Sequence, residues 1–476
     1  MEGNTKHPQS GIGDDRIYYI GIDLGTSAVK LILIDESAAI LKTVSKEYPL
    51  SFPKPNWSEQ NPEDWWNAVI EGLGELTDGV DKGHVKAIGV GGQMHGLVML
   101  DEADRVLRPA ILWNDTRTGK ETDWLNSVVG KEKLQALTGN IAFAGFTAPK
   151  ILWVKENEPD VFAKCKKICL PKDYVNYRLT GVFATDVSDA SGTLYFDVEN
   201  RKWSKEMLEI LGVDESQLPT VYESGDVIGC TSLLGMNAAV VAGAGDNAAA
   251  AIGTNTVSEG QCNISLGTSG TVFIPTDRYV KTANPALHSF CHANGKYHLM
   301  GCILSAASCN KWLNETVLKS DYKTGCSDMN DVFFLPYLSG ERCPHNDGDA
   351  KGAFLGLTHA TTREDLQRAV LEGVSFAIKD CVALCPNAIQ KATVCGGGTK
   401  SKDWMQMLAD VLGVEMSVIQ NEGPAYGGAL LAAGIAHEPA IKTTVKPDPN
   451  RTALYEKKYQ KFRQLYPLLR SFYKEN

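Results

Sequence analysis

The sequence predicts an α/β fold of two domains with a cleft between them, and three observations carry that prediction. The first is length: 476 residues exceed what one hydrophobic core usually supports, so two domains of roughly 200 to 250 residues each are expected. The second is an internal repeat. Ile17 to Asp35, IYYIGIDLGTSAVKLILID, and Gln261 to Pro275, QCNISLGTSGTVFIP, both place the tetrapeptide LGTS between two strand-like runs. Each reads as a hairpin with small residues at its tip, and two copies at long spacing point to two similar domains facing each other rather than to a solenoid. The third is a recurring unit in which a short buried strand stops at a glycine-rich polar turn, a usual way for α/β folds to present a ligand site.

Composition narrows the function classes. An apolar share of 43% and a charged share of 22% suit a soluble globular protein. A formal net charge of −10 argues against non-specific nucleic-acid binding and against an anionic membrane surface. No run approaches about 18 uninterrupted apolar residues, so no membrane span is read. Residues 1–16, MEGNTKHPQSGIGDDR, are polar throughout and are expected to be a disordered leader, not a signal peptide. The twelve cysteines include no CxxC pair. Cys165/Cys169 and Cys381/Cys385 are spaced as neighbours on a helix face, and buried reduced thiols in a cytoplasmic protein are expected rather than a metal site or disulfides.

The first hairpin tip is where chemistry fits. Asp23 ends a strand, and Gly25, Thr26 and Ser27 offer backbone N–H and hydroxyl donors to phosphate oxygens with no bulky side chain in the way. A carboxylate beside such donors suggests a magnesium-nucleotide site, because Mg²⁺ keeps most of its waters and takes one or two carboxylates plus phosphate oxygens.

Next, Glu47 to Asn61 is Pro-rich and irregular. A helix opens at Pro62, with Asn61 as cap and Glu63 and Asp64 at the positive end of its dipole. Lys86 to Val90 is a short buried strand delivering Gly91-Gly92-Gln93-Met94-His95-Gly96. There Gln93 and His95 could hydrogen-bond a polyhydroxylated ligand beside a Met94 wall, although a lone histidine is more often a satisfied structural one. Ala110 to Thr118 sets Trp113, Asn114, Asp115 and Arg117 just past another strand, where they either stack on and hydrogen-bond a sugar or close a surface turn. Gly145 to Glu158 starts a helix with Pro149 in its first turn, Asp173 to Leu179 is helical, and Asp186 to Thr193 reads as loop or turn. The small-residue strand Asn237 to Gly245 stops at Asp246-Asn247 before an alanine-rich helix. Asp246 is then that helix's N-cap, or an acid poised near bound anions, or both.

Past the second hairpin, Leu304 to Ser308 leads into a helix carrying Lys311 and Trp312. Phe334 to Asp347 is a loop with Glu341 and Arg342 at its polar centre, read as a surface ion pair in preference to a cleft lip. Gly352 to Glu372 is a turn followed by an amphipathic helix that Thr361 or Thr362 caps. The strand Ala392 to Cys395 ends in Gly396-Gly397-Gly398-Thr399-Lys400-Ser401; three glycines there let a flat ring lie against the backbone with a helix N-terminus near phosphate. Pro424 to Gly434 is a small-residue helix expected to pack beneath that turn, and Arg451 to Lys474 is expected to be a solvated terminal helix.

With these pieces assembled, the chain from Tyr18 onward resembles the FGGY carbohydrate kinases. Two signature stretches match, GFTAPKILW with VKEN from Gly145 and GAFLGL through AVLE from Gly352 to Glu372. The stretches WSEQNPEDWW, GGQMHG, AILWNDTR, LPKDY, SDASGT, HSFCHA, LSAAS and LPYLSGER with PHN are similar to those of members that phosphorylate D-xylulose. The resemblance implies two ribonuclease-H-like domains of the actin and sugar kinase superfamily, spanning 17–257 and 258–476, that close over ATP, Mg²⁺ and a sugar. It implies that Asp23 sits near the metal, that Thr26, Lys30 and Thr268 approach the phosphates, and that Gly397 and Ser401 lie by the adenosine. Met94, His95, Trp113, Asp246 and Asn247 are implied to line the sugar site, with Asp246 as general base. One departure is a short connector, Gly229 to Asn237, read as a trimmed surface loop. The reaction expected is phosphorylation of D-xylulose at O5 in the cytoplasm, without nucleic-acid or membrane partners; a homodimer is compatible with this. A sister kinase acting on ribulose or another sugar is the near alternative, and an ATP-binding chaperone-like module the remote one.

Overall fold

The computed structural model describes residues 16–319, 329–420 and 422–474; apart from Arg16, the expected leader lies outside them. Two mixed sheets form the frame. The first contains β1 (Tyr18–Leu24), β2 (Ala28–Asp35), β3 (Ile40–Glu47), β4 (Val85–Gly92), β5 (Val227–Thr231) and β6 (Ala238–Gly245). The second contains β7 (Gln261–Leu266), β8 (Gly270–Thr276), β9 (His288–Cys291), β10 (Tyr297–Ile303), β11 (Lys391–Cys395), β12 (Glu415–Ile419) and β13 (Ile441–Val445). Helices used below are α1 (Pro62–Leu76), α2 (Thr147–Asn157), α3 (Pro171–Thr180), α4 (Asp246–Gly253), α5 (Arg363–Ala383), α6 (Lys402–Leu412), α7 (Pro424–Ala433) and α8 (Pro449–Lys474).

The strand orders are β5-β6-β4-β1-β2-β3 and β9-β10-β8-β7-β11-β12-β13. In the first sheet β1, β2 and β3 form an antiparallel meander, and β4 and then β6 join parallel on the other side of β1. The second repeats the scheme: β7, β8 and β10 meander, and β11 and then β12 join parallel beyond β7. The shared LGTS tips are therefore the first turn of each of two equivalent sheets, the doubled ribonuclease-H-like arrangement. Parallel strands need helical crossovers and are buried on both faces, which fits the continuous apolar character of β4 and β6.

Local signals acted as expected at several helix starts. The Asn61 side chain accepts from the Glu63 N–H at the head of α1, and Thr362 and Asp365 form a reciprocal capping box on α5.

Tertiary packing overrode other expectations. α7 does not lie beneath the triple-glycine turn; it crosses to the other half and packs on β1 and β4. A Cβ at Gly21 would stand 1.7 Å from the Ala425 carbonyl oxygen, and one at Gly89 would stand 2.1 Å from that of Gly428. Small residues on both partners let backbone touch backbone. α8 is not solvated all round: Tyr455, Tyr459, Phe462 and Tyr466 are buried in the second core. Asp186 to Thr193 is two buried helical turns, Val187–Ala190 and Ser191–Thr193, rather than a loop. Cys165 and Cys169 are not on a helix, since Cys165 follows one and Cys169 ends the strand Lys167–Cys169; Cys385 lies beyond the end of α5. No disulfide joins the cysteines among the described residues.

Candidate active site

The first hairpin tip is braced from behind. Its carbonyls face inward, with Tyr48 Oη and Gln93 Nε2 donating to Gly25 O at 2.5 and 3.2 Å, and Gln60 Nε2 donating to Thr26 O at 2.6 Å. Gln93, read as a sugar ligand, is instead buried and holds this turn. The second tip is braced in the same way: Ala306 N–H and Ser308 Oγ donate to Thr268 O at 2.9 and 2.7 Å, and Ala307 N–H donates to Gly267 O at 3.0 Å. That is the role of the LSAAS stretch. Thr268 and Ser269 remain exposed at the tip.

Beside the tips lies a cavity of about 220 Å³, lined from the first half by Met94, His95, Trp113, Phe146, Asp246 and Asn247. The second half contributes Ser269, Gly270 and Thr271 of the hairpin, together with Met300, Cys302 and Arg342. All five residues expected at a sugar site are thus brought together, against the tip of the second hairpin. Trp113 stands at the lip, 46% exposed, and its Nε1 donates to Thr26 Oγ1 at 3.0 Å, tying the cavity to the first hairpin.

His95 has left-handed backbone, φ +69°, fixed because Lys150 Nζ and Thr147 Oγ1 donate to its carbonyl at 2.8 and 3.1 Å. Both donors belong to the first signature stretch, at the head of α2. The imidazole stacks on Phe146 with centroids 4.6 Å apart, and burial pulls its pKa down to about 3. It is neutral, so Nδ1 carries the hydrogen shared with Gly192 O at 2.7 Å, and Nε2 is left as an acceptor. His95 is thus held in place structurally while its ring still lines the cavity.

Asp115 and Arg117 are not ligands. Arg117 is sandwiched between Trp57 and Trp153, 3.6 and 4.9 Å from their ring centroids, and pairs with Asp115 at 2.6 Å and Glu59 at 2.8 Å. This buried stack fixes the loop that presents Trp113. Glu341 and Arg342 form no ion pair: Glu341 is buried, accepting from the N–H groups of Leu304 and Arg342, and burial pushes its pKa up to about 8. Arg342 reaches the cavity over Phe143, 5.5 Å from the ring centroid, so the cleft-lip reading of this loop holds. Phe143, Phe146, Met300 and Cys302 carry no local signal that separates them from core residues, and sequence reasoning missed them.

Asp246 opens α4 as its first residue; Gly245 is the N-cap, so the capping role falls away. Asp246 Oδ1 accepts from the Asn247 N–H at 2.7 Å and Asn247 Nδ2 at 3.0 Å. Burial raises its pKa to about 6 against that hydrogen bond. Asp23, at the end of β1, is raised to about 7, by burial first and then by the charge of Asp246, with Lys30 opposing. Lys30 Nζ donates to Glu422 O at 2.9 Å, across the two halves. Near the glycine turn, Gly397 is exposed with open space around its Cα, whereas Ser401 is buried and its Oγ accepts the Trp404 N–H as the cap of α6.

Two facing carboxylates countered by one lysine are a donor set short of positive charge. No cluster of three His, Cys, Asp or Glu among the described residues is placed to hold a metal. One or two carboxylates facing phosphates are, however, what a nucleotide-bound Mg²⁺ takes.

Models of the N-terminal and C-terminal domains of the FGGY family of carbohydrate kinases match residues 18–253 and 262–436. A protein named xylulose kinase from Escherichia coli strain K12 is 43% identical over 481 residues, which are 95% of this chain and 99% of the relative. One of the same name from Bacillus subtilis strain 168 is 37% identical over 484 residues, 96% of each chain. Among solved structures, a xyloylose kinase from Brucella ovis superposes with a TM-score of 0.91 at 39% identity, covering 96% of this chain and 100% of that one. A gluconate kinase from Lactobacillus acidophilus also reaches 0.91, at 26% identity and with 97% and 100% coverage.

Proposed function

The chain belongs to the FGGY family of carbohydrate kinases, and from that membership we propose that it transfers the terminal phosphoryl group of ATP to O5 of D-xylulose. The observation that carries this reading is Asp246, a carboxylate with a raised pKa on the floor of a small cavity whose far wall is a phosphate-type hairpin. The relatives named xylulose kinase support the choice of ketopentose. The gluconate kinase of the same shape makes the sugar panel below the necessary test.

In this mechanism the sugar enters between Trp113 and His95, with Nε2 of the neutral imidazole accepting from a hydroxyl. Asp246 takes the proton of the attacking hydroxyl as it bonds to phosphorus, which an acid of pKa near 6 does well at neutral pH. Asn247 holds the carboxylate in place. Thr26 and Thr268 face the phosphates from the two tips and Lys30 from β2 opposite Asp23, and the Gly397 backbone flanks the adenosine; Ser401 acts through the helix it caps. Asp23 would hold the Mg²⁺ that accompanies ATP, and that ion supplies charge neutralisation for the transferred group. Phosphoryl transfer asks mainly for such positioning and neutralisation. No helix among the described residues is long and apolar enough to cross a membrane, and a cytoplasmic setting, where ATP and Mg²⁺ are at hand, belongs to the same proposal.

An ADP-coupled assay over ketopentoses, gluconate and glycerol tests the reading, with D-xylulose expected to give the highest kcat/KM. Preference for another sugar would assign a sister activity, and ATP hydrolysis that no sugar stimulates would defeat the kinase reading. Asp246→Ala should keep nucleotide binding and lose roughly 10² to 10⁴ in kcat.

A further inference from the structure

Two of the stretches singled out in the sequence, LPKDY at 170–174 and SDASGT at 188–193, supply none of the reacting groups named above, yet both converge on the bend that carries Asp246. β6 leaves its pairing with β4 through a register shift between Val241 and Ala244. There Gly243 takes φ +76°, and a Cβ on it would stand 2.0 Å from the Val90 carbonyl oxygen. An irregularity of this kind beside a site re-aims the side chain that follows it.

Buried polar contacts pin the bend from the far side. Lys172 Nζ and Asn176 Nδ2, both on α3, donate to Ala242 O at 3.1 and 2.9 Å. The Gly245 N–H, one residue before Asp246, donates to Ser188 Oγ at 3.1 Å. Ser188 is free to accept there because its own hydroxyl donates to Asp186 Oδ2 at 2.5 Å. That oxygen also accepts from the Ser188 N–H and from Ser224 Oγ, each at 2.8 Å. Lys172 closes the ring with ion pairs to Asp173 at 2.8 Å and Asp186 at 3.1 Å. Lys172, Asp173, Asn176, Asp186 and Ser188 are each no more than 1% exposed.

A cluster like this is a poor stabiliser, since removing a lysine and two carboxylates from water offsets most of what their attraction returns, and apolar side chains of the same size often do as well. It is a good backbone clamp, because each charged or shared group accepts only one geometry. We infer that Lys172, Asp186 and Ser188 are positioning residues that hold the Ala242–Gly245 bend so that the Asp246 carboxylate meets the attacking hydroxyl. The inference rests on the reading of Asp246 as the base.

Steady-state kinetics on the full chain with Ser188→Ala, Ser188→Thr, Lys172→Met and Asp246→Ala, alongside thermal melts, provide the test. Ser188→Ala should lower kcat by roughly 10²-fold, the scale of a displacement of about 1 Å at a reacting group. It should leave KM for ATP within about twofold. Ser188→Thr, which keeps the hydroxyl, should recover most of the rate, and Lys172→Met should lower kcat in the fraction that stays folded. The positioning role is overturned if Ser188→Ala retains kcat within about threefold of the parent, if its only effect is on KM, or if the Ala and Thr variants lose rate equally. Asp246→Ala separates the two claims. Should it turn over normally, the base reading fails; should it be inactive while Ser188→Ala is normal, only the positioning role fails.

Discussion

Replacing Asp246 with asparagine should make the protein more stable at neutral pH while removing its turnover. Burial lifts the carboxyl from its ordinary 3.8 to about 6, and a tenfold change in proton affinity is worth about 1.36 kcal/mol between the protonated and ionised forms. The full cost of the ionised carboxylate is thus about 3 kcal/mol, and because Asp246 is only half-buried on the cleft floor, screening leaves about 1 to 3 kcal/mol. The folded state binds this proton more tightly than the unfolded chain does. The penalty is therefore absent below about pH 4, grows between about 4 and 6, and continues at its full value above that. Asparagine keeps an oxygen for the Asn247 N–H, now 2.7 Å from Oδ1, carries no charge, and ends the repulsion that helps raise Asp23. Urea unfolding without nucleotide should give the Asn variant a gain of about 1 to 3 kcal/mol at pH 8, roughly half of it at pH 5, and almost none near pH 4. A variant no more stable than its parent at pH 8 would refute the reasoning; so would a gain of equal size at every pH, which would come from packing. A stabilising substitution that abolishes activity is the expected mark of a charge kept where chemistry needs it.

Trp113→Ala should raise KM for the sugar by roughly tenfold, the scale of a lost aromatic contact, with kcat changed much less; initial rates over sugar concentration check this, and an unchanged KM would remove Trp113 from the sugar wall. Gly89→Ala forces a Cβ to within 2.1 Å of the Gly428 carbonyl oxygen, backbone against backbone, and should cost about 1 to 3 kcal/mol or more by thermal or urea unfolding. Gly225→Ala, with nothing within 4 Å of the added carbon, should stay within about 0.5 kcal/mol of the parent.

What the sequence made legible is what local chemistry dictates. The two hairpins follow from β-branched runs around small tips, the caps at Asn61 and Thr362 from residue type and spacing, and the strand ending at Gly245 from its apolar run. Asp246 could be singled out because an acid between such a strand and an alanine-rich helix has few places to go. What stayed hidden depends on partners distant in the chain. Arg117 resembles a sugar ligand until Trp57 and Trp153 close on it. Gln93 resembles one until it is found bracing Gly25. Glu341 and Arg342 are adjacent in sequence and look like a pair, but backbone N–H groups take one and the cavity takes the other. The same limit applies to α7, whose composition announces close packing without naming the partner.

That partner bears on how the site is assembled. α7 is a segment of the second half that lies on β1 and β4 of the first, and Lys30 Nζ on Glu422 O fastens the chain just before it. β1 carries Asp23 next to its last residue, β4 runs on to Met94 and His95, and β6, beside β4, ends at Gly245, one residue before Asp246. The helix therefore backs the three strands whose carboxyl ends present Asp23, the Met94–His95 turn and Asp246. The opposite wall, the Ser269–Thr271 tip and Arg342, belongs to the second sheet and its loops. A molecule filling the cavity meets both walls, while the halves are already joined at the rear through contacts too tight to accept a methyl group at Gly21 or Gly89. The seam thus has a fixed end behind the strands and an open end at the half-exposed Trp113, so variation in the width of the cleft falls on the residues that line the cavity.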